Sequence, residues 1–166
     1  MTFPAGEARS HNVEAIGYLP LQDKPAFKMA LHRAGERWYW YCAHLWEPGW
    51  SIVEVTDPKK PRFVRFIEGP PNSWTLQIQI ADGRMITSME RIPPGWGGDD
   101  EATRRGEYGE GFYIWSLEDP ENPRRLGHYR TGGDGTHRNF YAGGKGHRPR
   151  ITGSPGPHRL RRPPCW

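Results

Sequence analysis

Apolar and polar residues alternate over short stretches of this chain. Trp74, Leu76, Ile78 and Ile80 are separated by Thr75, Gln77 and Gln79, the period of two that marks a half-buried β-strand. The aromatic run Trp38-Tyr39-Trp40-Tyr41-Cys42 reads as a buried strand, and apolar runs follow Gly49 and Gly111. Turn signals stand between these runs, at Ala34-Gly35 and Asp82-Gly83, where glycine and aspartate favour a tight reversal. In the segment 92–110, Pro93-Pro94-Gly95-Trp96-Gly97-Gly98 breaks any regular structure and predicts a surface loop.

The pattern repeats. Gly49-Trp50-Ser51-Ile52-Val53-Glu54-Val55-Thr56-Asp57-Pro58 leads to Pro61-Arg62, and Gly111-Phe112-Tyr113-Ile114-Trp115-Ser116-Leu117-Glu118-Asp119-Pro120 leads to Pro123-Arg124, 62 residues on. Asp57 and Asp119 can each accept a hydrogen bond from the N–H two residues ahead and so close a turn. Pro58 and Pro120 preset φ for the next turn position. Upstream, the stretch from Phe27 to His32 matches the stretch from Trp74 to Gln79 at an offset of 47. Each unit therefore predicts four strands. Unit one spans 27–67, unit two spans 74–130 with the insertion 92–110, and a third begins at 136–144 with Thr136-His137-Arg138-Asn139-Phe140-Tyr141.

Tandem four-stranded units of about 40–50 residues predict a β-propeller, which closes with about four to eight blades. The expected fold is all-β: propeller blades as four-stranded antiparallel sheets in an incomplete ring. Residues 1–24 form an N-terminal segment, 25–144 the partial propeller, and 145–166 a basic Arg/Pro/Gly-rich tail predicted to be disordered. Two and a half blades cannot close a ring, so the outer blade faces should expose apolar surface. The abrupt change after Gly144 reads as a frameshifted or mispredicted terminus.

The strand followed by Asp-Pro-x-x-Pro resembles the LVIVD-repeat β-propeller proteins. Ser51-Ile52-Val53-Glu54-Val55-Thr56-Asp57-Pro58 carries the resemblance, and the segment from Gly132 to Tyr141 is similar to one in longer members. The resemblance covers about residues 12–144. It implies the propeller fold and a ring with more blades. It implies no catalytic residues, because the family is defined by its repeat and not by a shared activity.

Composition and charge narrow the picture. The chain is 35% hydrophobic and 25% charged, which excludes a composition that must be disordered. Its 21 Gly and 17 Pro suit many short strands and turns. Of the net charge of +4, the tail 145–166 contributes +6, so the remainder carries −2. The basic balance belongs to the tail, which argues against a nucleic-acid partner for the body. No run of about 18 apolar residues predicts a membrane span. The first ten residues lack the pattern of a signal peptide, and a cytoplasmic location is expected. Cys42 reads as a structural thiol in a buried strand.

Candidate chemistry gathers at the predicted channel mouth. His44, Trp74, Asp134 and His137 are the candidate ligand-binding residues. His137 lies at the start of the third unit's first strand, and first strands of blades line the channel where propellers often bind ligands. His44, His128 and His137 are candidate metal ligands if they converge, although their spacing matches no metal motif. Gly132-Gly133-Asp134-Gly135 reads as a sharp connection between units, and Asp99-Asp100-Glu101 as a solvated acidic loop. Trp38, Trp40, Trp50, Trp74 and Trp115 read as packing residues, whereas Trp96 in the loop is a binding hint. No cofactor is predicted. The expected function is a binding or interaction scaffold. Its partners would be further propeller blades, another protein or a small molecule. The alternative is part of a propeller enzyme with a small-molecule site, with or without a metal, near Trp74 and His137.

Overall fold

The computed structural model describes residues 11–144. The tail 145–166, with the disorder expected of it, lies outside the described residues. Strands β1 (Ala26–Ala34), β2 (Arg37–His44), β3 (Gly49–Glu54) and β4 (Arg62–Glu68) form one antiparallel sheet in that order. The second sheet contains β5 (Ser73–Trp74), β6 (Ile78–Ala81), β7 (Arg84–Arg91), β8 (Gly111–Ser116) and β9 (Arg124–Tyr129). Its order is β5-β7-β8-β9, and β6 pairs with the other part of β7. The described chain is thus predominantly β, in antiparallel sheets. No helix among the described residues is long and apolar enough to cross a membrane.

The predicted turns form by the predicted chemistry. Asp57 Oδ1 accepts from Lys59 N at 3.0 Å, and Asp119 Oδ1 accepts from Glu121 N at 3.0 Å. Asp82 and Gly83 both have positive φ, 49° and 66°, between the paired residues Ala81 and Arg84. That is a two-residue type I′ hairpin, whose twist matches its strands.

Two expectations are corrected. The first strand of unit two is not continuous but divides into β5 and β6. Trp74 faces Glu90 and Ile78 faces Thr87, so four steps on one side meet three on the other. The extra residue is a bulge, and Thr75 within it turns its hydroxyl onto the first sheet. The segment 92–110 also holds regular structure, a 3₁₀ turn (Pro94–Trp96) and helix α1 (Asp100–Arg105). Asp99 caps α1 by accepting from Glu101 N and Ala102 N at 2.8 and 2.9 Å. Acids in its first turn and arginines in its last suit the helix dipole.

The two sheets share details that local sequence does not display. A bulge falls between Ile52 and Val53 on β3 and between Ile114 and Trp115 on β8, 62 residues apart. Gly49 and Gly111 open these strands with φ of 152° and 78°. A Cβ there would lie 2.5 Å from Ile67 O and 2.0 Å from Tyr129 O, respectively. These are again equivalent atoms, so both positions require glycine.

Register also shows how the sheets stack. The row Leu31, Trp40, Val53, Phe63 across the first sheet corresponds to Ile80, Met85, Trp115, Arg125 across the second. The alignment of Phe27 with Trp74 is therefore two residues out of step with the ladder, where Met29 corresponds to Ile78. In the second sheet this row faces the first sheet, and Met85 and Trp115 join Tyr39, Tyr41, Trp50 and Ile52 in the main core. In the first sheet the same row faces outward. Leu19 and Leu21 cover part of it, around Cys42 and Val53, while Leu31 is 60% exposed. The sheets are thus stacked front to back. Burying side chains such as Ile52 and Ile78 contributes roughly 1.5–3 kcal/mol each.

Polar clasps hold the stack at both ends. At one end, Tyr41 Oη donates to Pro120 O at 2.7 Å, and Arg62 Nη2 donates to Glu121 Oε1 at 2.7 Å. At the other, buried Thr75 Oγ1 accepts from Gly49 N and donates to His44 O, both at 2.8 Å. This second clasp sets the position of the neighbouring Trp74.

Candidate functional site

Three tryptophans meet beside the Thr75 clasp, each brought by a different segment. Trp46 lies in the loop 45–48, whose Pro48 O accepts from Gly69 N at 2.9 Å. Trp74 ends the short strand β5, directly opposite Glu90 at the end of β7. Trp96 closes the 3₁₀ turn, where Trp96 N donates to Pro93 O at 2.9 Å and Gly97 takes a left-handed φ of 90°. Asn72 ties that turn to β5. Its side chain accepts from Asp99 N at 2.9 Å, and its carbonyl accepts from Ile92 N at 3.1 Å.

The ring centroids form a nearly equilateral triangle. Trp46 and Trp74 are 6.2 Å apart, Trp74 and Trp96 5.9 Å, and Trp46 and Trp96 6.4 Å. Trp46 and Trp96 are close to parallel at 18°, and Trp74 stands at 79° to each. Trp74 is 8% exposed, whereas Trp46 and Trp96 are 48% and 62% exposed. The Trp74 Nε1 is buried with no hydrogen-bond partner.

A carboxylate–imidazole pair borders the rings. His137 Nδ1 lies 2.5 Å from Glu90 Oε2, and the imidazole centroid is 6.4 Å from that of Trp74. His137 is placed by backbone. Thr136 N donates to Met89 O at 2.9 Å, and Arg91 N donates to Asp134 O at 2.7 Å. Arg91 Nε also reaches Asp134 Oδ1 at 2.8 Å. The glycine-rich segment turns with positive φ of 73°, 62° and 100° at Gly132, Gly133 and Gly135, and Glu110 Oε2 anchors it by accepting from Thr131 N and Gly132 N at 2.8 and 2.9 Å.

Of the four predicted ligand-binding residues, Trp74, Asp134 and His137 gather around the end of β7. The His44 ring does not join them. It is buried, with Nδ1 2.9 Å from Pro25 O and Nε2 2.8 Å from Ser51 Oγ, and burial holds it below the ordinary imidazole range. His128 lies elsewhere, with Nε2 2.7 Å from Glu110 O and its ring against Tyr113. Among the described residues no group of three or more His, Cys, Asp or Glu could hold a metal ion. Segment 136–144, read as the start of a third unit, contains no named strand. It runs beside β6, where the Gln79 side chain bonds Asn139 O and Tyr141 N.

Trp96 belongs to the cluster, as its loop position suggests. Trp46 and Glu90 were not foreseen. Glu90 is detectable only once the register places it opposite Trp74, and Trp46 carries no local signal. Asp99 and Glu101 serve the helix, by capping it and by pairing with Arg105 at 2.8 Å. Cys42 is buried and free, and burial pushes its thiol up to about 11, so it is a poor nucleophile. In a shallow groove bounded by Arg37, Tyr39 and the turn at Pro120, the acid Glu121 is already engaged by Arg62 and Tyr39.

Chemically, the cluster offers exposed indole faces, one carboxylate and an imidazole in contact with it. Such a surface can hold a flat, apolar or cationic group. No family model, no curated protein and no solved structure matches the chain, so its functional reading rests on the meeting of Trp46, Trp74 and Trp96 with Glu90 and His137.

Proposed function

We propose that the two sheets are successive blades of an LVIVD-type β-propeller and that the chain is a binding module, its ligand seated at the tryptophan cluster. The bulges 62 residues apart, the twin Asp-Pro turns and the front-to-back stacking support tandem blades. Further blades or another protein would cover the outward rows. The single observation that carries the binding reading is the meeting of three indoles from separate segments, two of them substantially exposed. Exposed aromatic groups on well-anchored loops are characteristic of recognition surfaces.

The test is a fluorescence-detected screen of small organic fragments against the 166-residue protein. Ligands should emerge whose affinity falls by about tenfold or more in Trp96→Ala and in Trp46→Ala, with the far-UV circular dichroism unchanged. Ligands indifferent to both substitutions would refute the site. A second reading, an enzyme site, is favoured by one feature, the 2.5 Å contact of His137 with Glu90, which resembles an acid orienting a catalytic base. It predicts that a bound ligand is converted and that His137→Ala stops conversion but not binding. Recovery of every ligand unchanged by mass spectrometry rules it out.

A further inference from the structure

The surroundings of the cluster carry a sign of charge. The segments that supply the tryptophans, 45–48, 73–74 and 92–98, contain one acid, Glu47, and no base. Strand β7 adds Glu90, whose side chain is 20% exposed and stands across the ladder from Trp74. Directly opposed residues of an antiparallel pair hold their Cβ atoms about 4.5–5.5 Å apart, so Glu90 lies beside Trp74, the buried member of the three indoles. Of the nearby bases, Arg91 is engaged by Asp134 at 2.8 Å, and Arg138 is exposed. His137 compensates Glu90 only when the imidazole is protonated.

Indole faces carry negative electrostatic potential, and a cation within about 6 Å of a ring centroid is attracted to it, most strongly by tryptophan. Three indoles with centroids 5.9–6.4 Å apart allow one cationic head to meet more than one of them. A neutral sugar would use the ring faces but would gain nothing from the carboxylate's charge. An anion would be repelled by both. We propose that this site takes an organic cation of the methylated-ammonium class, seated against Trp46 and Trp96 with Glu90 as its counter-charge. The proposal rests on the binding-module reading and adds the chemical class of the ligand. Glu90 then acts in recognition and not in proton transfer.

The probes are choline, its uncharged isostere 3,3-dimethylbutan-1-ol, and methyl glucoside, each titrated into the full chain while the indole N–H resonances are followed by NMR. Choline should bind about tenfold more tightly than the isostere, the preference characteristic of a cation on aromatic faces. Glu90→Gln, which keeps the size of the side chain, should remove most of that preference. Trp96→Ala should weaken choline without changing the thermal midpoint, because the residue is 62% exposed. Equal binding of choline and the isostere, or tighter binding of the glucoside, overturns the cation assignment and leaves a binding site of another class. Choline affinity unchanged in Glu90→Gln also overturns it. No resonance shift with any of the three probes likewise overturns the cation assignment, whereas the binding-module reading stands or falls on the fragment screen.

Discussion

Replacing Thr75 by valine removes one hydroxyl and preserves the shape of the side chain. That hydroxyl accepts from Gly49 N and donates to His44 O, each at 2.8 Å, and the residue is fully buried. Each bond contributes about 1 kcal/mol net, and a buried N–H left without an acceptor costs about 1–3 kcal/mol. The loss should therefore be about 2–4 kcal/mol. With a urea slope of about 2 kcal/mol per molar, the unfolding midpoint should fall by about 1–2 M. Thr75→Ser is the control. It keeps the hydroxyl and deletes one methyl, which costs about 1 kcal/mol. Because Thr75 links the second sheet to the loop 45–48, the valine variant should also alter the near-ultraviolet circular dichroism of Trp46 and Trp74. A Thr75→Val unfolding free energy within about 0.5 kcal/mol of wild type, or a serine variant less stable than the valine one, would refute this assignment.

The remaining expectations concern pH and association. Burial lowers the folded-state pKa of His44 below its ordinary value, so the neutral ring favours the fold. That contribution is fully present above the unfolded value of about 6.5 and is lost as pH falls through the lower folded value. Urea midpoints between about pH 7 and pH 5 should thus drop more steeply for wild type than for His44→Gln, and parallel slopes would contradict it. The outward row with Leu31 corresponds to a row whose central residues, Met85 and Trp115, are buried in the second sheet, so the chain should self-associate as concentration rises. Leu31→Lys should reduce this in analytical ultracentrifugation with little change in the thermal midpoint, and association unaffected by the substitution would dismiss the row as the contact.

Much of the local structure is legible in the sequence. The turns at Asp57, Asp82 and Asp119 form as their residues require, and most strands begin within a few residues of where the alternation places them. The misreadings have specific causes. A bulge adds one residue to a strand without changing its composition, so the break at Thr75 and the two-residue misalignment of Phe27 with Trp74 left no trace in the pattern. Helix α1 was hidden behind a Pro/Gly run, although Asp99 and the charges at its two ends are ordinary helix signals. For the site, Trp74, Asp134 and His137 were identifiable and do gather. His44 also sits near the end of β2, but strand alternation turns its ring toward Pro25 and Ser51.

The sequence by itself determined where the chain turns and where most of its strands lie. Those features depend on backbone preference and on a period of two, both of which act within a few residues. Only the tertiary structure decided which row of each sheet is covered. It alone brought Trp46, Trp74 and Trp96 together, and it alone set Glu90 beside them. Those outcomes depend on ladder register and on the stacking of segments far apart in the chain, where one bulged residue exchanges the faces of a strand.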